Sequence, residues 1–302
     1  MRVIVAGSNG FIGTHLIHKL SEKGAKIVAI VQNKDQDISG IVHYCSQIVY
    51  CDLANISQCS EISKESNGET VFVNLAWRGV NGADKGVYAY QLSNIKMLCD
   101  AAQHAKEVGC SKYVAAGTVA ENAIGSLRDL PATNPGLFYG VGKASGRDFL
   151  EVLCKSIGLP FVWAQFSNIY GPGNKTGNLI SYSLSQLAKN EMASFGPADQ
   201  PYDFVYIDDL IEALARLILS KNRSNFYCIS SGSPRILKDY LLSVGKAAGK
   251  ENLIGIGQRP SDHVVYRFDM FDNSALVKDI GDYVSVSFEE GLAKTIQWEK
   301  QQ

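Results

Sequence analysis

Tyr139-Gly140-Val141-Gly142-Lys143 places a phenol and an ammonium four residues apart, a spacing that makes them neighbours on one face of a helix. A free phenol ionises near pH 10, too high for easy proton exchange at neutral pH. A fixed cation beside it favours the phenolate and lowers that value, so the pair is expected to serve as an acid/base. A tyrosine and a lysine at this spacing are common by chance. Their force here comes from position, just after a strand-like run and downstream of a glycine-rich turn.

That turn is Gly7-Ser8-Asn9-Gly10-Phe11-Ile12-Gly13. It stands between a strand-like run, Arg2 to Ala6, and a segment in which Phe11, Ile12, Leu16 and Leu20 recur with helical period. Glycines at such a junction permit a tight turn, close backbone approach to a pyrophosphate, and tight helix–strand packing. The helix N-terminus then offers unpaired N–H groups to the phosphates. A dinucleotide site is expected, with Asn9, Phe11 and Ile12 beside Gly7, Gly10 and Gly13, and with Lys143 holding the nicotinamide ribose. The spacing is GxxGxxG, a departure from the GxGxxG of most dinucleotide-binding dehydrogenases.

The residue closing the second strand selects between cofactors. NAD-specific folds carry Asp or Glu about 20 residues beyond the loop, where it binds the ribose 2'-hydroxyl. Here the place reads Gln32-Asn33-Lys34, with no carboxylate before Asp35. Amides and a lysine accept a 2'-phosphate that an acid would repel, so NADP is the expected cofactor and NAD the alternative. Asp52, followed by Leu53, is placed to accept a hydrogen bond from the adenine amino group, or else to cap the segment after it.

The elements that position these groups alternate. Strand-like runs at 2–6, 26–31, 47–51, 70–75, 112–116 and 161–166 are separated by helical segments that include 11–23, 87–108 and 137–157. This order predicts an α/β fold, a doubly wound parallel sheet of the Rossmann type. After Tyr170-Gly171-Pro172-Gly173 the rhythm changes to shorter elements. Residues 1–170 are therefore expected to bind the cofactor and 171–302 mainly the substrate, with 203–230 free to rejoin the main sheet. Net charge is -1 with scattered cations, which gives no nucleic-acid footprint. The seven cysteines show no CxxC pair or zinc spacing, so free thiols and no metal are expected. No apolar run approaches the roughly 20 residues of a membrane span, and no signal peptide precedes the first strand, so a cytoplasmic protein is expected.

Taken together, the chain resembles the extended short-chain dehydrogenases/reductases, the nucleotide-sugar epimerase, dehydratase and ketoreductase group. The match runs through the glycine loop, Asn74-Leu75-Ala76, Asn94, Ala116-Gly117-Thr118-Val119-Ala120-Glu121, Tyr139/Lys143, Asn168-Ile169-Tyr170-Gly171-Pro172-Gly173 and Tyr202-Asp203-Phe204-Val205-Tyr206-Ile207-Asp208-Asp209. The resemblance implies that Leu75 and Ala76 line the cofactor. It implies that Thr118 holds the substrate oxygen beside Tyr139, a role that a slip of one residue would hand to Gly117, which has no hydroxyl. It also implies that Asn168 contacts the substrate near its diphosphate, unless it only bonds its own loop. The family commonly has arginine where Gln165 and Tyr202 stand, which makes Arg259 a candidate cation for the diphosphate. Its 4,6-dehydratases follow the threonine with Asp-Glu, whereas Val119-Ala120 follow here and move no proton.

The resulting expectation is a nucleotide-sugar oxidoreductase that reduces a 4-keto-6-deoxyhexose nucleotide with NADPH. An NAD-dependent 4-epimerase is the alternative, and a non-catalytic NADP-binding regulator a more distant one. Family resemblance also implies a homodimer formed through the helices near 87–108 and 137–157.

Overall fold

The strands fall where β-branched and apolar runs are long enough for a single strand each. The computed structural model describes residues 1–65, 68–129, 135–174, 177–261 and 266–301. In the first half, β1 (Arg2–Ala6), α1 (Phe11–Glu22), β2 (Lys26–Val31), β3 (Gln47–Tyr50), β4 (Thr70–Asn74), α2 (Tyr88–Glu107), β5 (Lys112–Thr118), α3 (Leu137–Ile157) and β6 (Phe161–Phe166) follow the expected alternation. Shorter elements come next: β7 (Asn168–Tyr170), α4 (Leu179–Ala188), β8 (Ala193–Ser194), β9 (Pro201–Tyr202), β10 (Phe204–Tyr206), α5 (Ile207–Leu219) and β11 (Phe226–Ile229). The chain then forms β12 (Arg235–Ile236), α6 (Leu237–Ala247), β13 (Ile254–Gly255), α7 (Ser274–Ile280) and α8 (Phe288–Glu299).

Seven strands make one sheet in the order β11-β6-β5-β4-β1-β2-β3, parallel throughout. Helices cover both faces, so β1, β4 and β6 are buried along their whole length and read as unbroken apolar runs. On one face Leu16 and Leu20 of α1 share a core with Leu210 and Leu214 of α5. On the other, Met97 and Leu98 of α2 pack with Leu150 and Cys154 of α3. The order in which strands are added reverses between β1 and β4, which opens a crevice at the carboxyl ends of those strands.

Two departures from the expected elements bear on the site. β5 runs two residues past the expected end at 116, to Thr118, because Gly117 and Thr118 pair with Gln165 and Phe166 of β6. Segment 203–230 divides three ways: β10 pairs with β7 away from the main sheet, α5 covers one sheet face, and β11 extends the sheet beyond β6. The seven cysteines stand unbridged. Among the described residues no helix is long and apolar enough to cross a membrane, and no group of His, Cys, Asp and Glu is arranged to hold a metal ion.

Candidate active site

A cavity of about 490 Å³ occupies the crevice. At one end β1 delivers the chain into the glycine loop, and Gly7, Asn9, Gly10, Phe11, Ile12 and Gly13 all line the cavity. A Cβ on Gly13 would lie 2.2 Å from the carbonyl oxygen of Gly7, so only glycine lets α1 pack this close to the loop. Gly10 caps α1 without a side-chain hydrogen bond, and the first turn holds no acid. The N–H groups of that turn are therefore left for an anion.

The far wall of this end is built from the loops after β2, β3 and β4. Gln32 lines the cavity and donates through Nε2 to Asp52 Oδ2 at 3.0 Å. Asp52 lines it too, with Oδ1 accepting the Ala54 N–H at 3.0 Å at the start of a short 3-10 helix, Leu53–Gln58. Asp52 thus takes the cap role expected of it, while its other oxygen, in the cavity wall, is bonded to Gln32 and Arg78. Burial pushes that carboxyl up, but the Ala54 N–H, the Gln32 amide and an ion pair with Arg78 outweigh it and hold it below its ordinary value. Leu53, Leu75 and Ala76 complete the wall. Asn33 and Lys34 do not line the cavity; both are exposed, and Asn33 Oδ1 accepts the Asp35 N–H at 3.0 Å. The cation inside the cavity at this end is Arg78, which sequence reasoning passed over. Its signal was adjacency, a guanidinium two residues past Leu75-Ala76.

At the other end β5 and α3 converge. Thr118, Tyr139 and Lys143 line the same cavity as the glycine loop. Alternation along β5 sends the side chains of neighbouring residues to opposite sides of the sheet. Gly117 and Thr118 both line the cavity, but a Cβ on Gly117 would lie 2.1 Å from Trp163 Nε1, so position 117 has no room for a side chain and Thr118 brings the hydroxyl. The Tyr139 phenol is hydrogen-bonded with the Thr118 side chain. Burial raises that phenol above its ordinary value, with the Thr118 bond working against the rise and Glu121 and Tyr266 adding to it. The sequence led us to expect a phenol lowered by Lys143; in this arrangement the ammonium turns elsewhere. Lys143 Nζ donates to the Ala116 carbonyl at 2.6 Å and lies 3.9 Å from the centroid of the Trp77 ring. Burial lowers the pKa of this ammonium, and Glu121 partly restores it. Trp77, held by a hydrogen bond from Nε1 to Gln91 Oε1 at 2.8 Å, is a second residue the sequence did not single out.

The remaining expected residues separate. Asn168 lines the cavity, and its amide also bonds locally, Nδ2 donating to the Asp203 carbonyl at 3.1 Å and Oδ1 accepting from the Tyr202 hydroxyl at 2.9 Å. Gln165 lies beneath the site at 1% exposure, tied to Glu121 and Asn122. Arg259 does not line the cavity; its Nη2 donates to the Tyr182 hydroxyl at 2.8 Å. The arrangement can hold an anion and an apolar ring at one end and transfer a proton from a phenol at the other.

Residues 3–228 match the NAD dependent epimerase/dehydratase family. The chain is 28% identical to a dTDP-6-deoxy-L-talose 4-dehydrogenase (NAD(+)) of Aggregatibacter actinomycetemcomitans, over 79% of this chain and 87% of that protein. A dTDP-4-dehydro-6-deoxyglucose reductase of Escherichia coli is 22% identical over 98% of this chain and 96% of its own length. Among solved structures, a UDP-glucose 4-epimerase with UDP-glucose from Thermotoga maritima superposes with a TM-score of 0.80 at 19% identity, covering 100% of this chain and 99% of that one. With the family matched over most of its length and the sheet order and glycine loop in place, this chain belongs to the NAD-dependent epimerase/dehydratase family of extended short-chain dehydrogenases/reductases.

Proposed function

We propose that this protein reduces a 4-keto-6-deoxyhexose nucleotide with NADPH. The observation that carries the reading is the union, in one cavity, of the glycine loop with Thr118, Tyr139 and Lys143. A dinucleotide fits the first end. The uncapped first turn of α1 suits a pyrophosphate, and Leu75 and Ala76 border the same space. When bound there, NADPH supplies the hydride that adds to the carbonyl carbon. Tyr139 gives its proton to the carbonyl oxygen, and Thr118 holds that oxygen in line with the phenol. Lys143 has one N–H committed to Ala116, which leaves two for the ribose. The two relatives named above support a position at C4 of a 6-deoxyhexose on dTDP, since both of their names place the chemistry there. The site also speaks against dehydration, because removing water from a hexose needs a base at one carbon and an acid at another. Val119 is 2% exposed inside an apolar cluster, and Ala120 carries no proton.

Supplying 4-keto-6-deoxy sugars on dTDP, UDP, CDP and GDP, with NADPH absorbance followed, tests the reading directly. Oxidation of NADPH with at least one of them is expected, and no keto sugar should form from the parent hexoses. The nucleotide that copurifies with the protein adds a second arm. Tightly held NAD, with inversion at C4 and no consumption of reductant, would replace the reductase by a 4-epimerase.

A further inference from the structure

We infer that Glu121 is a positioning residue for this reaction, a buried carboxylate that anchors the backbone of Thr118 and keeps both Tyr139 and Lys143 protonated. The inference rests on Tyr139 being the proton donor, as proposed above. The Glu121 side chain is 1% exposed. Its Oε1 accepts the Thr118 N–H at 2.7 Å, and Oε2 accepts from Trp163 Nε1 at 3.0 Å and from Gln165 Nε2 at 3.4 Å. The Arg147 guanidinium stands 3.5 Å away. Burial raises the Glu121 carboxyl above its ordinary value, while the Thr118 N–H, Lys143, Arg147 and Trp163 work against the rise. Each hydrogen-bonding partner donates, which suits an ionised carboxylate that accepts only.

A purely structural role would not need a charge there. A neutral amide has an oxygen for the Thr118 N–H, whereas a buried charge costs stability unless it is paired and hydrogen-bonded. The charge acts on the two titrating groups of α3. Lys143 is enclosed by the Trp77 ring at 3.9 Å, the Trp163 ring at 6.0 Å and the Ala116 carbonyl, and Glu121 is the anion that favours its ammonium. Tyr139 is faced by Thr118, by Tyr266 and by Lys85, whose ammonium lies 5.4 Å from its ring centroid, and the Glu121 charge opposes its ionisation. Arg147 from α3, Trp163 and Gln165 from β6, and the Cys228 thiol from β11 complete the groups around the carboxylate. Both effects have one sign in reduction, which needs the phenol as an acid and the ammonium as a cation.

The test is the pH dependence of kcat/KM for the keto sugar and of NADPH affinity, the latter read by fluorescence without turnover. Glu121→Gln keeps an oxygen for the Thr118 N–H and removes the charge. The high-pH limb of both profiles should move to lower pH by about one unit, a tenfold change in proton affinity. A folded variant whose limbs coincide with wild type, or move upward, overturns the inference. If that variant does not fold, Arg147→Gln, at a partly exposed position, decides the question. Arg147 favours the ionised carboxylate, so losing it weakens the charge and should move the limbs to lower pH, and limbs that stay or rise overturn the inference. Should no keto sugar turn over, the affinity profile still moves if Glu121 acts as inferred, so failure of the reaction assignment and failure of this inference give different results.

Discussion

The Tyr139 hydroxyl is the single oxygen on which the proposed proton transfer depends. Tyr139→Phe keeps the ring and its packing while removing the donor, so folding and cofactor affinity should survive. Positioned acid/base catalysis typically contributes about 10²–10⁴-fold, and kcat should fall by that order on a verified substrate. Thr118→Ala should be milder, because the phenol still carries its proton after one orienting hydrogen bond is lost. Lys143→Met should lower NADPH affinity, and the rate with it, since the proposed mechanism gives two N–H groups of the ammonium to the ribose. Steady-state kinetics with cofactor titrations read all three. Retention of more than about a third of the rate by Tyr139→Phe, with chemistry rate-limiting, would show that another group gives the proton.

Elements decide which of these residues meet, and the sequence carried that information unevenly. The strands of the main sheet and α1 to α3 were readable because burial on both faces leaves unbroken apolar runs and because helical faces repeat with a fixed period. Helix α4 was harder to see. Ser181, Ser183 and Ser185 look like loop residues, yet Asn178 caps the helix through the Ser181 N–H at 2.9 Å, and Ile180, Leu184 and Leu187 are buried. What separates Thr118 from Gly117 is Trp163, 45 positions further on, which fills the side of β5 that Gly117 leaves open. Arg78 reaches Asp52 from another loop, and nothing local announces that pairing. The cofactor prediction follows from it. NADPH should bind more tightly than NADH, and Lys34→Asp, at an exposed position outside the cavity, should change that preference less than a change at Arg78. Arg78→Met leaves Asp52 without its cation, so NADPH should lose more affinity than NADH, by on the order of tenfold. Titration of both cofactors against the three proteins measures this, and an unchanged ratio for Arg78→Met would remove that residue from cofactor selection.

At the scale of the whole molecule, α2 and α3 present large apolar side chains to solvent. Tyr88 and Leu92 on α2 are each 63% exposed, and Phe149 and Val152 on α3 are 61% and 71% exposed. Large apolar side chains exposed on two neighbouring helices are candidates for an interaction surface. The expected assembly is a homodimer through these two helices. Light scattering after size exclusion should give twice the chain mass for wild type and one chain mass for Val152→Glu, with the same circular dichroism for both. The edge of the sheet carries a different consequence, one of timing. β6 is complete at Phe166, but the strand that covers it, β11, starts only at Phe226, where the Trp163 N–H meets the Asn225 carbonyl at 2.7 Å. A growing chain therefore exposes an apolar strand edge until the later segment emerges, and an uncovered edge is a template for aggregation. A fragment ending at Tyr170 should be insoluble when expressed alone. Supplying residues 171–302 as a separate chain in the same cell should recover it in the soluble fraction, and a soluble 1–170 fragment on its own would show that β6 needs no cover.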